Sequence, residues 1–115
     1  MYQFSYAAIE VDTIADARDR ERQLLSRSIE LLQDARTAGP RSRQAVEAAL
    51  FVHRIWTSFV ADLQAPENST PQDLRDQLIS VGSWLLAEAE ALRLGRSADI
   101  DGLIDVSITA LEGLD

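Results

Sequence analysis

Three punctuation points constrain what this chain can fold into. Gly39-Pro40, the stretch from Pro66 to Pro71, and Gly95 cut a sequence that otherwise suits helices. Between the cuts, apolar residues recur every three or four positions, the spacing of helices with one buried face. Four such stretches predict an all-α fold, a small four-helix bundle-like single domain over residues 1–115. The start differs. In "MYQFSY", Tyr2, Phe4 and Tyr6 alternate with polar residues, which predicts an extended aromatic N-terminal arm lying across the helices or against a partner.

The first helix is expected from Thr13, as N-cap with Asp16 three residues on, to Ala38. Its first half, "ADARDRERQ", is polar and should project into solvent, while Leu24, Leu25, Ile29, Leu31, Leu32 and Ala35 form an apolar side. The second is expected from Arg41 to Gln64, with Ala45, Ala49, Val52, Trp56, Phe59, Val60 and Leu63 on one face. Leu50 and Phe51 fall off that face, so this helix reads as contacted on more than one side. The third runs from a cap at Thr70, with Pro71 at the first position and Asp73 in a capping box, to Gly95. Leu74, Leu78, Val81, Leu85, Ala89 and Leu92 share its main face, and Ile79, Gly82 and Leu86 form a second stripe. A glycine inside a helix costs about 1 kcal/mol relative to alanine. Gly82 therefore implies another backbone packed close, and Trp84, pointing away, needs a cover of its own. The last stretch, residues 98–115, is amphipathic, with five acidic residues and no basic one. Its modest helix propensity makes it depend on docking and makes it the most displaceable element.

Composition narrows the function. The net charge of −8 disfavours nucleic acid as a direct partner, since phosphate neutralisation needs clustered basic residues. There is no cysteine and a single histidine, which excludes disulfides, thiolate metal sites and multi-histidine sites within one chain. No apolar run reaches the roughly 18 residues of a membrane span, and the start lacks the marks of a signal peptide. The expectation is a cytoplasmic protein without membrane insertion and without cofactors.

Catalytic motifs do not assemble. His53 lacks a local carboxylate and nucleophile to work with. "DIDGLID" resembles part of a calcium loop, but Ile108 stands where a bidentate glutamate is required. Glu88 and Glu90 point about 160° apart on a helix and cannot share a proton. The alternating charges of "ARDRERQ" cancel and read as a solvated face. What remains is apolar surplus. Trp56, Phe59, Leu50, Phe51, Gly82, Trp84 and Leu86 together exceed what thin faces in a small bundle need, and suggest a groove between helices two and three for a partner helix. The same surface could instead close a homodimer, leaving monomer or homodimer open.

One resemblance adds to this. "MYQFSYA", "GPRSRQAVEAALFVHRIWTSFVADLQAPEN" and "LRDQLISVGSWLLAEAEALRLGRS" are similar to the FlaF family of bacterial flagellar biosynthesis proteins. The most specific residues, in order and spacing, include Trp56, Phe59, Asp62, Leu63, Asn68, Leu74, Leu78, Gly82, Trp84 and Glu88. The resemblance implies a small helical, non-enzymatic factor for flagellin synthesis and secretion. Flagellin is then the expected partner, bound as by an export chaperone, with FlbT as a further partner. The alternative is a regulator of flagellin expression acting through FlbT or the flagellin mRNA without binding flagellin.

Overall fold

The computed structural model describes residues 6–114, with side chains from residue 16 onward. It contains four helices: α1 (Tyr6–Ala38), α2 (Arg43–Gln64), α3 (Gln72–Arg93) and α4 (Ile100–Gly113). The arm expected over residues 1–6 lies outside the described residues except for Tyr6, which is the first residue of α1 rather than extended. α1 runs through Thr13 rather than starting there, because no glycine or proline breaks the chain after Tyr6.

Each helix packs on its two neighbours in a closed cycle, with α2–α3 the most extensive pair and none between α1 and α3 or α2 and α4. The pairs whose ends are marked run antiparallel. Arg36 near the end of α1 bridges to Asp101 at the start of α4 at 3.2 Å, while Arg22, earlier in α1, donates to the Leu114 carbonyl at 3.3 Å. α1 is 33 residues long, about 50 Å at 1.5 Å per residue, and α2 is 22, about 33 Å. Their common end is fixed by the Gly39 turn, so the N-terminal third of α1 runs past α2; the polar stretch Ala15–Gln23 does not simply project into solvent, since Glu21 and Arg22 are half-buried against the other helices.

The ends of the helices follow local chemistry. Gly39 and Gly95 adopt positive φ, 111° and 73°. After α3 the Arg96 N–H donates to the Ala91 carbonyl at 2.8 Å and the Gly95 N–H to Leu92 at 3.1 Å, a Schellman stop. α2 begins two residues later than expected because Ser42, not Arg41, sets its start: the Ser42 hydroxyl accepts from the Ala45 N–H at 3.1 Å. At α3 the expected side-chain cap is absent. Pro71 occupies the N-cap position, and the Thr70 N–H is instead taken by the Asn68 side chain at 2.9 Å. The calcium-like "DIDG" is a helix cap. Asp99 accepts from the Gly102 N–H at 2.9 Å, and a Cβ on Gly102 would collide with that carboxylate.

The core grades from tight to wide. Ala35, Ala45, Ala48, Ala49 and Ala89 are all buried towards the Gly39–Gly95 end, where helices approach closely. Trp56, Leu63 and Leu78 are buried towards the other end. The expected faces hold with local changes. On α1, Ser28 is buried and Leu24 exposed; on α2, Ala48 and Ile55 join the face while Phe59 and Val60 are half-buried. α4 is better anchored than its propensity suggested, burying Ile100, Leu103, Ile104 and Ala110 between α1 and α3. It therefore lies across the bundle from α2 and does not occupy a groove between α2 and α3.

Gly82 has a different cause from the one its sequence position implied. The atoms nearest to it are side-chain atoms rather than backbone. A Cβ there would sit 2.8 Å from both Trp56 Cε3 and Val60 Cγ2, so the missing methyl is room for an indole. Trp56 is 2% exposed and cannot retreat. Overpacking of about 1–3 kcal/mol should outweigh alanine's helix advantage of about 1 kcal/mol. Gly82→Ala is thus expected to lower stability by about 1 kcal/mol in urea denaturation, and an equal or higher midpoint would contradict the notch. Ser107 is fully buried with a hydroxyl that has no partner, whereas buried Ser28 donates to the Leu25 carbonyl at 2.6 Å. Ser107→Ala should therefore be stabilising by up to about 1 kcal/mol, and a Ser28→Ala control should not gain.

Candidate partner-binding pocket

α4 has 14 residues and α3 has 22. Beyond the last turn of α4 the described residues leave a space between the helices. A pocket of about 750 Å³, its open mouth included, lies there, bordered by Gly113 and Leu114 at the end of α4. Trp56, Phe59 and Leu63 from α2 and Leu74 and Leu78 from α3 make its apolar lining. Arg18 and Glu21 from α1, Asp62 from α2, and Asn68 and Thr70 from the α2–α3 connection make its polar lining.

Trp56 governs the interior. Phe59 stacks edge-on against it, with centroids 5.4 Å apart and planes at 81°. The Cε3–Cζ3 edge of the indole rests in the Gly82 notch of α3. The opposite edge of the ring carries Nε1. Nε1 is buried and has no hydrogen-bond partner among the described residues. A buried donor left unpaired is costly, so Trp56 must be held by the area its ring buries.

Glu21 is raised above the ordinary carboxylate range. Burial is the main cause and repulsion from Asp62 the second, opposed by Arg18 and Arg22. The folded state thus holds this proton more tightly than the unfolded chain. Stability from this group is full below the unfolded glutamate pKa and is lost as pH rises through the folded one. Glu21→Gln should therefore raise the melting temperature at pH 7, by the equivalent of about 0.5 kcal/mol or less for a half-buried site. The gain should vanish towards pH 4, and a pH-independent gain would point to packing instead.

The seven residues singled out from the sequence do not form one patch. Trp56 and Phe59 meet in the pocket, and Gly82 holds Trp56 in place while itself buried. Leu86 is half-buried against the core. Leu50 is 48% exposed, and Phe51, about 100° round the helix, is half-buried on another flank. Trp84 stays 39% exposed on α3, so the rest of the chain covers it only in part. The α2–α3 groove imagined around Gly82 is closed by Trp56 and Val60. Glu21, Asp62, Leu74, Leu78 and Leu114 were not chosen as site residues. The sequence placed Leu74, Leu78 and Leu114 on apolar faces, whereas Glu21 and Asp62 carried no signal of their own.

Elsewhere the chemistry is structural. His53 is exposed, and no group of three His, Asp or Glu among the described residues could hold a metal ion. Glu88 accepts from the Ser97 hydroxyl at 2.5 Å and ties down the α3–α4 connection. No described helix is long and apolar enough to cross a membrane.

A small helical bundle with an amphipathic pocket at one end has the form of a protein that works by binding. The family comparison agrees with a specific lineage. The chain belongs to the family described as "Flagellar protein FlaF", whose model it matches over residues 2–114. No curated protein and no solved structure matches the chain. Seven of the residues that carried the resemblance line the pocket: Trp56, Phe59, Asp62 and Leu63 on α2, Asn68 in the connection, and Leu74 and Leu78 on α3.

Proposed function

We propose that this flagellar protein promotes flagellin synthesis and secretion by binding flagellin directly in the cytoplasm, as an export chaperone does. Membership of the FlaF family carries the reading. Two physical features support it. The pocket around Trp56 and Phe59 offers apolar lining with polar groups at its edge, the mixed character of sites that take a partner's side chains. Leu50 and Trp84 add exposed apolar area on α2 and α3, with Phe51 and Leu86 partly exposed beside them. The role is binding, and no step of catalysis is assigned to any residue.

The test is size-exclusion chromatography with light scattering on the protein alone and mixed with monomeric flagellin. A complex of defined mass is expected. Trp84→Ala, which keeps the core intact, should weaken it if α3's exposed face takes part. Separate elution at tens of micromolar of each would overturn direct binding and favour action through FlbT or the flagellin mRNA.

A further inference from the structure

We propose that two copies of this chain meet through the outer side of the α2–α3 pair and form a two-fold symmetric dimer. This contact is separate from flagellin binding at the pocket, which is lined by the C-terminal half of α2 and the N-terminal half of α3. The apolar side chains at issue lie towards the other end of both helices. Trp56 and Val60 flank Gly82, and the Arg41 guanidinium lies against Gly95, so α2 and α3 run antiparallel. In that register Leu94 is level with Val46, and Glu90 with Leu50. At 100° per residue, Val46, Leu50 and Thr57 of α2 and Ser83, Glu90 and Leu94 of α3 turn to the same outer side. Val46, Leu50 and Leu94 are exposed there, with Ile79 and Leu86 half-buried along the seam.

Charge and area select a second copy. The chain carries a net charge of −8, yet the stretches 43–57 and 79–94 balance Arg43, Arg54 and Arg93 against Glu47, Glu88 and Glu90. Each of those carboxylates is already engaged. Arg43 reaches Glu47 at 2.9 Å, Arg93 reaches Glu90 at 2.5 Å, and the Ser97 hydroxyl donates to Glu88 at 2.5 Å. A basic partner would be drawn to the acidic remainder of the surface, and an acidic one would be repelled by the chain as a whole. Two copies of so acidic a chain can approach closely only across a face that brings no net charge to the contact. The outer side of α2–α3 is such a face, and a two-fold axis sets it against itself. Its hydroxyls do not require water either. Thr57 donates to the His53 carbonyl at 2.7 Å and Ser83 to the Ile79 carbonyl at 2.8 Å, so covering them strands no donor. The area is sufficient. α2 and α3 have 22 residues each, about 33 Å, and two helices side by side span about 20 Å. That gives about 650 Å² per copy and about 1,300 Å² for the pair, within the range of specific interfaces.

Sedimentation equilibrium of the full chain without flagellin makes the test, at protein concentrations from about 1 to about 200 µM. A monomer–dimer equilibrium is expected, with a dimer that tightens by about threefold or more from low to moderate salt as repulsion between the acidic chains is screened. Leu50→Glu with Leu94→Glu should weaken the dimer by about tenfold or more. Both positions are exposed, and an unchanged thermal unfolding curve by circular dichroism shows that the fold is kept. Leu24→Glu with Ile108→Glu places the same two charges at exposed positions on α1 and α4 and should change the dimer by less than about threefold. Equal weakening by both pairs would reduce the effect to net charge and overturn the face. A dimer that survives Leu50→Glu with Leu94→Glu would overturn it too, as would a protein that stays monomeric at about 200 µM. Monomeric flagellin, added in parallel, separates this contact from the flagellin reading. A wild-type dimer that takes up no flagellin keeps the dimer and removes flagellin binding. A monomer that binds flagellin and loses it with Leu50→Glu and Leu94→Glu would give this face to flagellin and overturn the dimer.

Discussion

The contact between Trp56 and Gly82 is the constraint on which the rest of the structure depends. An indole at 2% exposure in a domain this small displaces a large part of the core. It can do so only because α3 gives up a Cβ at the facing position, with the ring edge and Val60 occupying that space. The notch sets the register of α2 against α3, the most extensive helix pair. It also holds the indole with Nε1 on its far side. Deleting the indole would cost about 3–5 kcal/mol, comparable to much of the stability of a domain of this size.

The second determinant is where α4 stops. Its buried residues, Ile100, Leu103, Ile104 and Ala110, make it part of the core over its whole length. Its capping by Asp99 and its tie to α1 through Arg36 and Asp101 fix its start. The described ion pairs are exposed and stabilise little by themselves. The pocket beyond its last turn therefore does not reflect weak docking of α4. Trp56, Phe59, Leu74 and Leu78 line a space at this end of the bundle that is edged by carboxylates. The apolar surplus noticed in the sequence is thus partly absorbed by the core and partly concentrated at this end, with Leu50 and Trp84 left on outer faces.

Much of the fold was legible in the residues. Gly39 and Gly95 mark helix ends because positive φ is cheap only without a side chain. The 3.6-residue spacing located the buried faces of α2 and α3 nearly residue by residue. Three features were not legible. Thr70 resembles a cap, but Asn68 competes for its N–H two residues earlier, a choice of local hydrogen bonds that spacing does not rank. Gly82 announced a close approach without saying whether backbone or side chain makes it, since that depends on the register of α2 against α3. Glu21 and Asp62 are far apart in sequence and look like ordinary solvated carboxylates. Only the antiparallel pairing of α1 with α2 brings them to one pocket, where burial and mutual repulsion make Glu21 unusual.

The central claim is that Trp56, locked by Gly82, lies at the base of a pocket through which this protein binds flagellin. The most direct measurement is the nitrogen-15 spectrum of the two indole N–H groups, Trp56 and Trp84, with monomeric flagellin titrated in. The account predicts that the Trp56 N–H resonance shifts as flagellin occupies the pocket beside its ring. A Trp56 resonance that stays in place while flagellin binds would contradict the account. Binding would then belong to the outer faces around Leu50 and Trp84.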